Sequence, residues 1–240
     1  MGAVRARALD ADLAALLWLL VDGDLPLVVA GGTSDQRATL LAALGGLPGA
    51  RNDAPDHIAP NGVWGSVLRG RIASLRPGDR FRATAEVGSL RELLELLDGP
   101  AIGLTDDEIR TLSVILVLDA EGRVAAAHLL RPVERDGAGH LQRRPPAVLA
   151  ARDSHDGELE HFTWAVTSEL ADRVDRSQPD FEARQAGRAR LIDHLASNPA
   201  STGDRGALEA HLSAEPPRQP APERPPARPP WPPPDDHRPH

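Results

Sequence analysis

One short stretch constrains the fold of this chain more than any other. Residues 25–30 are apolar and lead directly into Gly31, Gly32 and Thr33, and residues 39–44 then carry the apolar pattern of a helix. This order predicts an α/β fold, because a parallel strand needs a crossover, usually a helix, to return to its sheet. The same outline is typical of a phosphate-binding loop, whose glycines let backbone N–H groups point at an anion.

The residues that give such a loop its chemistry are replaced. When the motif G-x-x-x-x-G-K-[ST] is laid on Gly31, the second glycine falls on Gln36, the lysine on Arg37 and the hydroxyl residue on Ala38. The chain contains no lysine at any position. Ala38 has no oxygen for Mg²⁺, and Thr39 would supply one only from a shifted register. A bare strand-turn-helix without a ligand therefore stays open beside the phosphate site.

Composition excludes several classes of function. With 240 residues and 41% hydrophobic content the chain can bury one good-sized core, and its net charge of −8 argues against nucleic acid as an obligate partner. The absence of cysteine excludes disulfides, thiol catalysis and Cys-ligated metal. The apolar stretch 13–21 is too short to span a bilayer, so we expect no membrane insertion and a cytoplasmic location.

The pattern along the chain predicts one domain over residues 1–198 and a tail over 199–240. Within the domain we expect strands at 81–87 and 145–152, a hairpin of 112–118 with 123–130, and helices at 66–75, 90–97 and 181–196. Residues 216–240 consist largely of Pro and Arg with almost no apolar content. The whole tail, 199–240, is therefore predicted to be disordered.

Residues 16–44 resemble the type II/type IV secretion ATPase family, especially its archaeal pilus and flagellar-motor branch. In that family a Leu-Trp-rich helix leads into a V-A-G-G-T-x-S-G-K-T-T-L-L loop. The resemblance continues without gaps: residues 55–65 are similar to the Walker B stretch, 77–79 to the T-G-H box and 83–89 to A-T-x-H-A-x-S. It covers residues 9–196 and implies a reduced RecA-like P-loop NTPase domain with a parallel sheet core, an appended β-hairpin and a disordered Pro-rich tail.

The resemblance also implies where a vestigial nucleotide site would lie. Its residues are Gly31, Gly32, Thr33, Arg37, Ala38 and Thr39. The positions of the catalytic groups are degenerate: the Walker B glutamate falls on Gly62, the arginine beside it on Trp64, and the histidine of the His box on Glu86. Loss of a general base alone lowers a rate by ~10²–10⁴-fold. No residue is therefore expected to be catalytic.

These departures imply a non-catalytic relative, a pseudo-ATPase that serves as a regulatory or assembly subunit without a cofactor. Its expected partner is a secretion or pilus ATPase or another protein subunit. The alternative is a weakly ATP-binding or slowly hydrolysing protein of the same kind, in which Arg37 and Thr39 replace the usual pair and ATP and Mg²⁺ bind weakly. A decaying reading frame without a selected role also stays open.

Other groups of polar residues favour structural interpretations. Asp119 follows the apolar run 112–118 as in a Walker B strand, but the resemblance places Walker B elsewhere, and a hairpin turn is the preferred interpretation. His155, Asp156 and His161 have no zinc-site spacing, so a solvated loop and no metal are expected. The acidic residues 106–108 are typical of a helix N-terminus.

Overall fold

The computed structural model describes residues 2–5, 8–50, 54–59, 65–76, 79–135, 140–153, 155–198 and 204–216. Within them the helices are α1 (Gly2–Arg5), α2 (Ala11–Asp22), α3 (Ser34–Gly45), α4 (Gly65–Ala73), α5 (Leu90–Asp98), α6 (Asp106–Ile109), α7 (Thr167–Arg173), α8 (Gln178–Ser197) and α9 (Asp204–Ala214). The strands are β1 (Leu27–Gly31), β2 (Asp56–Ile58), β3 (Arg82–Ala85), β4 (Val114–Leu118), β5 (Val124–Leu129), β6 (Glu134–Arg135), β7 (Leu141–Gln142), β8 (Ala147–Arg152) and β9 (Leu159–His161).

Seven of these strands form one central sheet in the order β2-β3-β1-β4-β5-β8-β9, and β6 and β7 form a separate ribbon. The strands β2, β3, β1 and β4 run parallel. The strands β5, β8 and β9 continue the same sheet in antiparallel pairing. The α/β prediction with a largely parallel sheet core is confirmed. The predicted hairpin forms between β4 and β5, but it extends the central sheet instead of standing apart from it.

The sheet is buried on both faces, which explains the continuous apolar sequence of β1 and β4. Leu27 and Val29 of β1 belong to a core cluster shared with α2, α3, α7 and α8. Val28 and Ala30 point to the opposite cluster, which is shared with α4, α5 and α6. Helices therefore cover both faces of the parallel strands, and the carboxyl ends of these strands meet at one edge.

Helix α2 lies inside the molecule instead of on its surface. Every residue from 13 to 21 is buried, which accounts for a helix that is apolar on all sides. The Asp10 side chain caps its N-terminus by accepting a hydrogen bond from the Leu13 N–H at 2.8 Å. The indole N–H of Trp18 donates to the Pro48 carbonyl at 2.8 Å, which satisfies the polar atom of that buried ring. No helix among the described residues is long and apolar enough to cross a bilayer.

Two sequence predictions differ from the structure by more than a few residues. Helix α3 begins at Ser34, five residues before the predicted start, because Thr33 and Gln36 form a capping box that starts the helix immediately after the glycines. Helix α9 lies inside the segment 199–240 that was predicted to be disordered. That prediction is wrong for 204–216, because Leu208 is buried in the core and Glu215 pairs with arginines of α8. Residues 217–240 lie outside the described residues.

Candidate functional site

The segments that resemble the Walker and His-box motifs meet at the carboxyl edge of the parallel strands. The Gly31 N–H at the end of β1 donates to the Val87 carbonyl at 2.7 Å. The Glu86 N–H after β3 donates to the Ile58 carbonyl at the end of β2 at 2.9 Å. Between these ends and the start of α5 lies an open groove of about 440 Å³, lined in part by Gly31, Arg37 and Glu86. This edge is where ligands bind in open α/β sheets.

The glycine-rich loop is much shorter than a phosphate-binding loop. Only Gly32 and Thr33 lie between β1 and α3. The Thr33 N–H donates to Oε1 of Gln36 at 2.7 Å, and the Gln36 N–H donates back to Oγ1 of Thr33 at 3.3 Å. Nε2 of Gln36 reaches the Ala120 carbonyl at 3.4 Å. Two of the N–H groups that a phosphate would need are therefore already bonded to side chains of the loop itself.

Arg37 lines the groove, but its guanidinium is bonded back to the loop. It is only 4% exposed. Its Nη1 donates to the carbonyl oxygens of Gly31 at 3.0 Å and Gly32 at 2.9 Å. Its Nη2 lies 3.7 Å from Oε1 of Glu86. A phosphate nest presents N–H groups to an anion, whereas here two carbonyls converge on a cation. The polarity of the loop at this point is the reverse of the one that binds a nucleotide.

Both glycines are explained by packing. Gly31 has φ +76°, and a Cβ there would lie 2.2 Å from the Leu118 carbonyl oxygen of β4. Gly32 has φ +55°, and its Cβ would lie 2.7 Å from Oε1 of Gln36. The sequence signal of a glycine pair therefore arises from the close approach of the loop to β4 and from the capping box, without any need for a ligand.

The remaining charges at the groove oppose an anion. Two carboxylates, Glu86 and Glu92, line it, and the latter accepts a hydrogen bond from the Gly88 N–H at 2.8 Å. A third, Asp35, lies in the first turn of α3. Ala38 and Thr39 are exposed on α3 beyond that turn. The residues present therefore do not fit the phosphates of ATP or its Mg²⁺ ion. Gly62 and Trp64, the other degenerate positions, lie outside the described residues.

Sequence reasoning missed one member of this edge. His57 on β2 is paired in register with Thr84 on β3, and its Nδ1 lies 3.0 Å from Oγ1 of that threonine. Its Nε2 lies 3.4 Å from Oε1 of Glu86. A polar residue near the end of each of two neighbouring parallel strands was the available signal. It gives a chain of polar contacts from His57 through Glu86 to Arg37.

Asp119, which directly follows β4, takes part in a turn. It accepts hydrogen bonds at 2.8 Å from both the N–H and Nε of Arg123. Burial would raise the pKa of Asp119, but these hydrogen bonds from Arg123 outweigh it and lower the pKa. The hairpin interpretation of Asp119 is confirmed.

The remaining acidic and histidine candidates also have structural roles. Thr105 and Glu108 form a capping box at α6, as predicted for the acidic residues 106–108. His161 Nε2 lies 2.7 Å from Oδ2 of Asp10, and the His155 side chain is exposed. Across the described parts of the chain, no three His, Asp or Glu side chains are grouped so as to hold a metal ion.

The residues that resemble the Walker and His-box motifs therefore lie at one edge of the sheet, where the charged groups of Arg37 and Glu86 contact each other. The chain matches no protein-family model, and no curated protein matches it. The resemblance to secretion ATPases depends on the motif spacing in the sequence.

Proposed function

We propose that this protein is a non-catalytic relative of the type II/type IV secretion ATPases, built on a reduced RecA-like P-loop domain. One observation carries the proposal. The residue at the position of the motif lysine, Arg37, and the residue at the position of the His-box histidine, Glu86, lie 3.7 Å apart at the end of the parallel strands. An ungapped match between two sequences does not by itself require Arg37 and Glu86, which are far apart in the sequence, to be in contact. Their contact supports common descent of the edge.

The residues at this edge also argue against ATP turnover. Nη1 of Arg37 donates to two carbonyls of the loop, so these donors are not directed at the β- and γ-phosphates of a nucleotide. Glu86 adds negative charge at the groove where the family has a histidine. By the resemblance, the Walker B glutamate is replaced by Gly62, which offers no carboxylate to orient water. Each of these changes disfavours a nucleotide transition state.

The role that follows is regulatory or architectural. A domain that has the fold of a motor subunit but does not cycle nucleotide is suited to bind an active motor subunit and to influence its assembly. The resemblance supplies the expected partner, a secretion or pilus ATPase. The alternative, a weakly ATP-binding or slowly hydrolysing protein, requires Arg37 to leave its two carbonyls and turn toward the groove.

The test is ATP turnover and ATP binding by the purified full chain with Mg²⁺. We expect phosphate release equal to a no-protein blank and no calorimetric binding at millimolar ATP. Turnover near ~1 s⁻¹ that is abolished by Arg37→Ala and kept by Arg91→Ala would overturn the proposal. Arg91 is a suitable control, because it is an exposed arginine on α5 whose ion pair is with Glu95 on the same helix.

A variant in which the three motif residues are restored distinguishes a P-loop origin from present-day ATPase activity. The triple change Gln36→Gly, Arg37→Lys and Ala38→Thr removes the capping box, frees the Thr33 N–H and supplies a point charge and a hydroxyl. We expect measurable ATP affinity without turnover, since Gly62 still supplies no carboxylate. A triple variant that folds and binds no ATP would remove the main support for a P-loop origin.

A further inference from the structure

A second cavity lies at the amino ends of the parallel strands, at the opposite edge from Gly31. It has a volume of about 480 Å³ and is bordered by the residues that precede β1 and β4. This volume falls within the range of small-molecule sites, about 300–1,000 Å³. The Gly31 groove plays no part in it, so the cavity is independent of the proposed function.

The walls of this cavity are largely apolar. Its apolar lining residues are Leu25, Pro26, Leu75, Pro132 and Val133. The two hydroxyls at the cavity are already bonded to backbone: Thr111 donates to the Glu108 carbonyl at 2.6 Å and Ser113 to the Thr111 carbonyl at 3.2 Å. Most of the exposed wall is nevertheless carbon, so an apolar body would displace water from it favourably.

Most of the charged side chains at the cavity are already paired with other residues. Arg110 is bonded to Asp106 at 2.9 Å, and Arg173 is bonded to Glu169 at 3.0 Å. Two acids also line the cavity: Asp107 is paired with Arg143 at 3.2 Å, and Asp172 has an interaction of its own.

Arg76 is exposed, and its backbone N–H donates to Oδ2 of Asp79 at 2.8 Å. Its guanidinium forms no ion pair with any residue in the described ranges. It is therefore the cation at this cavity that is left to receive a negative group.

We propose that this cavity binds a small amphipathic organic acid, with an apolar body against Leu25, Leu75 and Val133 and an anionic head group at Arg76. The apolar walls determine the body of the ligand. The unpaired guanidinium determines the charge of its head, because an anion there gains a charge-assisted hydrogen bond that a neutral molecule does not.

A matched pair of fluorescent probes tests both halves of the proposal on the full chain. 1-Anilinonaphthalene-8-sulfonate has an apolar ring system with an anionic head, and N-phenyl-1-naphthylamine has the same ring system without the sulfonate. We expect one sulfonate probe to bind per chain, with Arg76→Glu weakening it about fivefold and leaving the neutral probe unchanged. Val133→Trp, which fills the cavity, should abolish binding of both probes.

Arg190→Glu is the matched control, since it makes the same charge change at an exposed position on α8. Each variant is first compared with the parent by thermal unfolding, and Leu75→Trp replaces Val133→Trp if the latter does not fold. The proposal is overturned if neither probe binds, if binding survives the filled cavity, or if Arg190→Glu weakens the sulfonate probe as much as Arg76→Glu does. Equal loss of both probes in Arg76→Glu would also overturn it.

Discussion

Two buried arginines in this molecule have opposite surroundings. Arg37 at the glycine-rich loop is bonded to carbonyl oxygens, and its nearest carboxylate, on Glu86, is 3.7 Å away with a side chain that is 47% exposed. Arg188 on α8 is fully buried, with its Nε 2.8 Å and its Nη2 3.0 Å from the Glu215 carboxylate. Its guanidinium also lies 4.3 Å from the centre of the Trp18 ring. The Arg37 cation is stabilised mainly by carbonyl dipoles, whereas the Arg188 cation is paired with a buried carboxylate.

The second arginine belongs to a buried charge cluster that joins α2, α8 and α9. The cluster consists of Arg176, Arg184 and Arg188 with Asp22, Asp180 and Glu215, so its formal charges cancel. Removing one member of such a cluster leaves a charge buried without its partner, which is strongly destabilising. Arg37 differs, because among the described residues its nearest carboxylate, on Glu86, faces the open groove. Buried arginines between the helices are therefore held by buried carboxylates, whereas the buried arginine at the edge that resembles a nucleotide site is held by carbonyl oxygens.

The largest expected effect comes from removing α9. Deleting residues 199–240 takes away Glu215 and uncovers the core around Leu208, so the cluster keeps an unbalanced positive charge. We expect a loss of about 3–5 kcal/mol in the free energy of unfolding, measured by urea denaturation.

Deleting only residues 217–240 is the control, because it keeps both Glu215 and the Pro216 carbonyl that accepts from Arg184. That stretch has too few apolar side chains to offset the entropy of ordering it, so we expect little change. If both deletions cost the same, the comparison between the two regions would lose its basis.

A single substitution isolates the charge. Glu215→Gln keeps the shape of the side chain and should cost about 3 kcal/mol, whereas Glu160→Gln on the exposed face of β9 should cost almost nothing. Burial raises the pKa of Glu215, but hydrogen bonds and charges from Arg188 and Arg184 outweigh it and lower the pKa. Its stabilisation is therefore present above the unfolded pKa near 4.5 and is lost as the pH falls through the folded value. The difference between parent and Glu215→Gln should shrink at low pH, and a constant difference would contradict this.

Much of the fold was predictable, because it depends on local pattern. The apolar runs of β1 and β4, the turn at Asp119 and the amphipathic α5 gave the strands, hairpin and helix that the structure contains. The failure at α9 has a physical reason. Its ion-pair partners lie far away in sequence on α8, and no local pattern records that Glu215 meets Arg188.

The resemblance assigns Gly31, Arg37 and Glu86 to one site, and in the structure they line one groove at the edge of the sheet, but the sequence did not show which groups surround them. The direction of the Arg37 side chain depends on a loop of two residues and on the capping box of Gln36, so the substitution alone did not reveal that carbonyls would surround it. His57 joined the edge through strand register, which a single sequence does not give.

A smaller effect is expected at the loop. Arg37→Met removes two hydrogen bonds to the carbonyls of Gly31 and Gly32, but both carbonyls lie beside an open groove where water can replace the guanidinium. We expect a loss of about 1–2 kcal/mol in urea denaturation, below that of Glu215→Gln. A loss equal to or larger than that of Glu215→Gln would show that the two arginines are equivalent after all.

The smallest effect is expected from a half-exposed ion pair, which should resemble the loop edge more than the buried cluster. The hydrogen bond to Asp10 raises the pKa of His161 and outweighs the opposing effect of burial. Because the folded pKa lies above the ordinary value of 6.5, the stabilisation is fully present below that pH and is lost as the pH rises through the folded pKa. Asp10 keeps its charge throughout this window, since its own pKa is lowered: burial would raise the pKa, but the hydrogen bonds from His161 and the Leu13 N–H, together with nearby positive charge, outweigh burial. Replacing His161→Asn should therefore cost less than about 1 kcal/mol at pH 6 and progressively less toward pH 9, as measured by thermal unfolding across that range.

His155→Asn, at an exposed histidine, is the control and should show no such trend. A cost of His161→Asn that grows with pH would mean that His161 acts in the neutral form. A cost as large as that of Glu215→Gln would mean that burial does not separate strong ion pairs from weak ones in this protein.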